Sequence, residues 1–140
     1  MITSKVFSSK NVLILGMGIT GKGIATSLYR SGANVFFWDD NDFIRSKYKG
    51  KKYRIFENKK SNWKKIDFLV VSPGIKTKGV KAHNLIKSAK KNKCRVISEL
   101  DLFQEYLENC KYQDRIKVIG ITGTNGKSTV VSLLNHILVK

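Results

Sequence analysis

The stretch Asn11-Val-Leu-Ile-Leu-Gly-Met-Gly-Ile-Thr-Gly21 is the most informative indicator of the fold class of this chain. Its apolar part predicts a strand over 11–15, its glycines predict a turn, and the residues after it predict a helix over 22–30. A G-x-G-x-x-G pattern between a strand and a helix is typical of a nucleotide-phosphate loop, because glycine lets phosphates approach the backbone and the helix N-terminus attracts anions. An acid, Asp39, follows Gly21 by 18 residues, near the offset of about 20 at which an acid meets a ribose hydroxyl. The pattern leaves the ligand open: NAD, FAD or another nucleotide diphosphate would suit it.

Short apolar runs alternate with amphipathic stretches along the rest of the chain. Further strands are predicted over 34–38, 53–56, 67–71, 95–97 and 117–121, and further helices over 80–91, 99–107 and 127–139. The lysine-rich segment 41–52 is predicted to be a loop with one short helix. In the helix over 99–107 we expect Leu100, Phe103 and Leu107 to face inward. The alternation predicts an α/β fold with a Rossmann-like doubly wound parallel sheet, covered by helices on both faces.

A second glycine-rich run, Ile121-Thr-Gly-Thr-Asn-Gly-Lys-Ser-Thr129, lies between the last predicted strand and the last predicted helix. It departs from the strict G-x-x-x-x-G-K-[ST] pattern because Ile121 stands in the place of the first glycine. The strand before it and the helix after it still predict a P-loop. In such a loop Lys127 reaches the outer phosphates of a nucleoside triphosphate and Ser128 holds Mg²⁺.

The polar segment 109–115 is the predicted domain boundary. We expect residues 1–115 to form the Rossmann-like domain and residues 116–140 to be the start of a second α/β domain, truncated after its first strand, P-loop and helix. The turn Ser72-Pro-Gly-Ile75 ends the predicted strand 67–71, at the sheet edge where open α/β sheets bind ligands. It is expected to present N–H groups to the ligand of the first loop.

The charge of the chain is strongly basic, with 27 Lys and Arg against 10 Asp and Glu and a formal net charge of +17. Most of these cations are lysines scattered over predicted turns and helix surfaces, which favours a lysine-rich solvated surface over a nucleic-acid site. Cys94 and Cys110 fit no metal or redox spacing, and His83 and His136 have no ligand-spaced partners. The N-terminus lacks a signal-peptide pattern and no run is long enough to cross a bilayer, so we expect a cytoplasmic protein without membrane contact.

These motifs together resemble the Mur ligase family, most closely its D-glutamate-adding branch. The resemblance rests on the two glycine-rich runs, the turn at Ser72 and the segment Ser98-Glu-Leu-Asp-Leu-Phe103, which occur in the family's order. It spans almost the whole chain but covers only the family's N-terminal domain and the opening of its central ATPase domain.

The resemblance implies an ATP-dependent ligase of peptidoglycan precursor synthesis, which joins D-glutamate to UDP-N-acetylmuramoyl-L-alanine through an acyl phosphate. It assigns the UDP-linked substrate to residues of the first domain, namely Gly18, Ile19, Thr20, Asp39, Ser72, Pro73 and Gly74. It assigns ATP to the second glycine-rich run, namely Gly123, Thr124, Asn125, Gly126, Lys127, Ser128 and Thr129. Lys127 would be the catalytic residue, on the β- and γ-phosphates, and Ser128 the ligand of Mg²⁺. The family's remaining domains are expected to be missing, so the chain alone should bind without catalysing.

Three other readings stay open at this point. One is a nucleotide-binding module without catalysis, and another is an NAD(P)-dependent Rossmann protein, which explains Asp39 but not the second loop. The third is a nucleic-acid binder, which predicts a strongly salt-dependent affinity for DNA or RNA.

Overall fold

A computed structural model describes residues 4–48, 50, 52–110 and 116–139. The chain divides into two compact units, Met1–Cys110 and Lys111–Lys140. Part of the predicted domain boundary, 111–115, lies outside the described residues, so the boundary after residue 115 stays a prediction.

The first unit is built on one parallel sheet of five strands in the order β3-β2-β1-β4-β5. The strands are β1 (Asn11–Leu15), β2 (Asn34–Trp38), β3 (Arg54–Ile55), β4 (Phe68–Val71) and β5 (Arg95–Ser98). The helices are α1 (Ile19–Arg30), α2 (Asp42–Tyr48), α3 (Lys60–Trp63), α4 (Asn84–Lys91) and α5 (Glu99–Glu108), preceded by a 3₁₀ turn at Lys5–Phe7. The predicted Rossmann-like α/β fold is confirmed.

The sheet is covered on both faces because alternate residues of its central strands point to opposite sides. On one face Val12 and Ile14 of β1 join a cluster that contains Ala25 and Leu28 of α1. On the other face Leu13 and Leu15 join a cluster that contains Leu85, Ile86 and Ala89 of α4. Every residue of β4 is also buried. The strands β1 and β4 therefore form the rigid centre of the unit, and the loops that follow them are held at one edge of the sheet.

The predicted elements differ from the structure in their ends and in one helix face. The helix predicted over 80–91 begins only at Asn84, because the His83 side chain accepts the Leu85 N–H and so caps it. Leu100 was expected to face inward, but its side chain is 72% exposed. That prediction is wrong: Leu102 is the buried residue of this helix, and it belongs to the core cluster that contains Phe68 of β4 and Ile97 of β5.

The second unit contains α6 (Lys127–Leu138), which follows the glycine-rich run as predicted. The strand predicted over 117–121 is wrong, since these residues are not in a strand and Val118 and Ile119 are each 59% exposed. A strand requires a hydrogen-bonded neighbour, and none pairs with this segment among the residues that the structure describes.

No helix in the described parts of the chain is both long and apolar enough to cross a membrane.

Candidate functional site

The carboxyl ends of β1 and β4 border a cleft of about 410 Å³. We call it the first-loop cleft. It is lined by Leu15, Gly16, Gly18, Ile19, Thr20, Gly21, Asp39, Asp40, Ser72, Pro73 and Ile75. It lies where the strand order reverses, with β2 on one side of β1 and β4 on the other, and this is the position at which open α/β sheets bind ligands.

The structure brings together six of the seven residues predicted to bind the UDP-linked substrate. Gly18, Ile19, Thr20, Asp39, Ser72 and Pro73 all line the first-loop cleft. The seventh, Gly74, instead lines a neighbouring cleft of about 370 Å³, with Lys78, Lys90 and the start of α5. The two clefts share Ser72 and Pro73, so the seven predicted residues are neighbours although Gly74 lines only the second cleft.

The glycine loop is pressed against α1 and against the turn after β4. A Cβ atom on Gly21 would lie 1.9 Å from the Gly16 carbonyl oxygen and 2.8 Å from Ser72 Oγ. Ser72 is buried and its hydroxyl donates a hydrogen bond of 2.7 Å to the same carbonyl of Gly16. Ser72 thus connects the turn after β4 to the glycine loop after β1 and helps to fix the position of that loop.

The first turn of α1 opens into the cleft. The helix begins at Ile19, and its N-cap, Gly18, has no side chain with which to cap it. The N–H groups of a first helical turn have no acceptor within the helix and carry a partial positive charge. Ile19 is 96% exposed, so an apolar surface lies beside these donors. The arrangement suits an anion joined to a flat apolar group.

The carboxylate of Asp39 is already engaged by the protein. Its Oδ2 accepts the Met17 N–H at 2.7 Å and its Oδ1 accepts the Asn41 N–H at 3.0 Å. The first contact fixes the glycine loop against the end of β2. Each carboxylate oxygen can accept a further hydrogen bond, so Asp39 holds the loop and still faces the cleft.

A polar cluster that the sequence did not predict adjoins the cleft. His83 Nε2 lies 3.0 and 3.1 Å from the two carboxylate oxygens of Asp40, and Trp38 Nε1 donates to Asp40 Oδ1 at 3.1 Å. The guanidinium carbon of Arg45 lies 4.4 Å from the ring centre of Trp38. The hydrogen bond from His83 is the main cause that holds the pKa of the Asp40 carboxyl below its usual value. His83 and Asp40 are 43 residues apart, and no spacing rule in the sequence joins them.

The predicted P-loop lies within the second unit. Its residues, 123–129, are all exposed, and Gly126 has the left-handed φ of +76° at the N-cap of α6. Lys127 Nζ donates to the carbonyl oxygens of Gly123 and, at 3.4 Å, of Thr124. The lysine ammonium group therefore lies over its own loop, beside the helix N-terminus. Ser128 is the second residue of α6.

The donor set of the second glycine-rich run fits a nucleoside triphosphate with Mg²⁺. Gly126 leaves the first turn of α6 without a side-chain cap, so its N–H groups are available to phosphate oxygens. Lys127 adds a cation and Ser128 a hydroxyl oxygen, which is a hard ligand of the kind Mg²⁺ prefers. In the described residues no three His, Cys, Asp or Glu side chains come together as a metal site.

Among solved structures, the fold is similar to that of shikimate dehydrogenase from Aquifex aeolicus, with a TM-score of 0.51 and 17% identity over 81% of this chain and 51% of that one. At this identity the likeness shows the Rossmann-like fold and nothing more. No protein-family model matches the chain.

Curated relatives give a sharper result. The chain is 39% identical over 134 residues to UDP-N-acetylmuramoylalanine–D-glutamate ligase of Wolbachia pipientis wMel, covering 94% of this chain and 25% of the relative. It is 31% identical over 137 residues to the enzyme of the same name from Caulobacter vibrioides NA1000, covering 98% of this chain and 29% of the relative. The chain thus spans between a quarter and a third of the length of these ligases. Over that length it is a homologue of the N-terminal portion of the UDP-N-acetylmuramoylalanine–D-glutamate ligases, and so belongs to the Mur ligase family.

Proposed function

We propose that the chain supplies the N-terminal, substrate-binding part of an ATP-dependent ligase that adds D-glutamate to UDP-N-acetylmuramoyl-L-alanine. The single observation that carries the proposal is the first-loop cleft, in which two separate loops and Asp39 converge on the helix N-terminus. The similarity to ligases of that name supports the choice of substrate. Because the chain spans about a quarter of their length, we propose ligand binding for it rather than the complete reaction.

The first unit binds the UDP part of the substrate in this proposal. The N–H groups at Gly18, Ile19 and Thr20 donate hydrogen bonds to the diphosphate oxygens, since a helix N-terminus stabilises negative charge. Each carboxylate oxygen of Asp39 accepts one backbone N–H and can accept a second hydrogen bond. That second bond comes from a hydroxyl or N–H group of the nucleoside. The turn with Ser72, Pro73 and Gly74 lies against the diphosphate from the other side.

The second unit binds ATP in this proposal, through residues 123–129. Lys127, whose ammonium group lies over its own loop, would bind the β- and γ-phosphates, and the Ser128 hydroxyl would hold Mg²⁺. ATP would transfer its γ-phosphoryl group to the substrate carboxylate and release ADP, and the amine of D-glutamate would then displace the phosphate to form the amide. The positive charge of Lys127 would stabilise the negative charge on the ATP phosphates during the transfer. Such electrostatic stabilisation is a main contribution of a protein to phosphoryl transfer.

The UDP site is tested with a matched pair of glycine variants. A Cβ on Gly18 or on Gly23 meets no atom within 4 Å, so both positions have room for a side chain. Gly18→Asp places a carboxylate at the N-cap, where Asp is favoured, and directly in the path of a diphosphate. Gly23→Asp makes the same charge change outside the first-loop cleft. Isothermal titration calorimetry with UDP should show binding that Gly18→Asp weakens at least about tenfold, as expected for loss of an anion site.

Two titrations separate this proposal from its rivals. Gly23→Asp should bind UDP like the unchanged chain, and equal weakening by both variants would contradict the assigned cleft. NADH should give no comparable affinity; tight NADH binding with no UDP binding would favour the NAD(P)-dependent reading instead.

The ATP site has its own pair of variants. Lys127→Ala should abolish Mg²⁺-dependent ATP binding, because it removes the cation from the loop. Lys117→Ala removes the same charge from an exposed residue of the same unit and should leave it unchanged. Equal affinities for the two variants would remove the P-loop from the proposed function.

A further inference from the structure

Asp40 is the more exposed of the two acids at the end of β2. Its side chain is 74% exposed, and it lines the first-loop cleft next to Asp39. Both oxygens of Asp39 accept backbone N–H groups of the protein, from Met17 and Asn41. Asp40 accepts only side-chain donors in the contacts described, from Trp38 and His83. Asp40 is therefore the acid whose carboxylate is more accessible to a ligand.

His83 fixes the position of Asp40 from a different loop. Its imidazole is 19% exposed, and its Nδ1 accepts the Leu85 N–H at 3.1 Å. An accepting Nδ1 carries no proton, so in the neutral ring the proton is on Nε2, which then donates to Asp40. One imidazole thereby caps α4 and ties the loop after β4 to the loop after β2. These two loops border the first-loop cleft on opposite sides.

Charged groups around this contact favour an ionised Asp40. The His83 hydrogen bond is the first cause of its lowered pKa, the Trp38 hydrogen bond adds to it, and Arg45 contributes through its charge. An ionised carboxylate accepts but does not donate, so it selects ligands that present an O–H or N–H group at this position.

We propose that Asp40, oriented by His83, is a specificity-determining residue that accepts a hydrogen bond from the nucleoside part of a ligand in the first-loop cleft, with His83 as its positioning residue. The inference rests on the proposed function, because it deepens the account of the UDP site. It adds to Asp39 a second acid, whose geometry depends on a histidine distant in the sequence.

The test separates the two roles of His83 with two substitutions. Asparagine places its amide near the position of Nδ1 and is a favoured N-cap residue, so His83→Asn keeps the cap of α4 and loses the contact with Asp40. Glutamine places its amide near the position of Nε2, so His83→Gln keeps a donor for Asp40. Calorimetry with UDP should show affinity about tenfold weaker for Asp40→Asn, the usual effect of losing a hydrogen bond to a charged group. His83→Asn should weaken it comparably, and His83→Gln should restore most of it.

A double variant and a control complete the experiment. Because His83 is inferred to act through Asp40, the variant Asp40→Asn with His83→Asn should bind no more weakly than Asp40→Asn alone. Glu108→Gln makes the same change of net charge at the end of α5, away from the cleft, and should bind like the unchanged chain. Thermal unfolding of each variant checks that it folds.

Each outcome decides a different point. UDP binding that Asp40→Asn leaves intact would overturn the inference while the proposed function stands. Losses that add in the double variant would overturn the positioning role, and so would an Nδ1–H tautomer of His83 in ¹⁵N spectra at pH 8. If the unchanged chain binds no UDP, the proposed function fails and the inference fails with it.

Discussion

Replacing Gly21 by alanine should break the contact on which the first-loop cleft depends. The added Cβ would lie 1.9 Å from the Gly16 carbonyl oxygen and 2.8 Å from Ser72 Oγ, whereas atoms in ordinary contact are about 3.5 Å apart. The oxygen belongs to the backbone and is held by the Ser72 hydroxyl, so it cannot rotate away. The start of α1 must move by more than about 1 Å relative to the loop, well beyond a normal adjustment in a close-packed interior.

The size of the effect follows from two opposing terms. Forcing a methyl group into filled space costs typically 1–3 kcal/mol, and a rigid backbone neighbour puts Gly21 near the upper end, at about 3 kcal/mol. Alanine is favoured over glycine within a helix by about 1 kcal/mol. The free energy of unfolding should therefore fall by about 2 kcal/mol, which lowers the melting temperature on the order of 10 °C for a unit of this size.

Gly23 offers a control in the same helix. A Cβ there meets no atom within 4 Å, so Gly23→Ala gains helix propensity without a clash and should raise the melting temperature by about 5 °C. The chain has two tryptophans, Trp38 and Trp63, and both lie in the first unit. Tryptophan fluorescence therefore follows the unfolding of this unit. If Gly21→Ala melts at or above Gly23→Ala, the tight contact is not present in solution and the geometry described for the loop is wrong.

Three further outcomes can be measured. Ser72→Ala should lower the free energy of unfolding by about 1 kcal/mol in urea, because a partly buried carbonyl loses its donor; an unchanged midpoint would contradict the 2.7 Å contact. The Ser98 N–H lowers the pKa of Asp101, so this cap stabilises the fold above the unfolded pKa and is lost as pH falls through the folded one. Asp101→Asn should thus make unfolding less sensitive to acid below about pH 4, and an unaltered acid profile would count against the cap. Burial raises the pKa of the Cys94 thiol, so Ellman's reagent should modify Cys110 first and Cys94 only on unfolding; simultaneous reaction of both would refute the packing.

Much of the fold was accessible from the sequence because its signals are local. Apolar runs predicted β1 and β2 with the bounds that the structure has, and the glycine pattern identified the loop at the edge of the sheet. The two-residue strand β3 and the four-residue helix α3 are too short for periodicity to fix. The face of α5 was misjudged although its start was predicted correctly, because the packing of Leu102 into the core beside β4 and β5 selects the buried side.

Sequence motifs predicted the loops of the candidate site one at a time, and the family resemblance then assigned individual residues to the substrate. The sequence could say that a glycine loop, an acid at the end of β2 and a Ser-Pro-Gly turn each stand at the end of a strand. Because parallel strands place their carboxyl ends at one edge of the sheet, these loops are expected to lie close together. In the structure all three line the first-loop cleft.

Patterns of residues close together in the chain were enough to predict the Rossmann-like fold class, the two glycine-rich loops and the family. Three contacts of the site became visible only in the folded chain: Asp39 accepts the Met17 N–H, Ser72 donates to the Gly16 carbonyl, and His83 lies within hydrogen-bond distance of Asp40. Those contacts join residues 22, 56 and 43 positions apart. Their geometry is set by the packing of β1 between β2 and β4, and no local pattern encodes it.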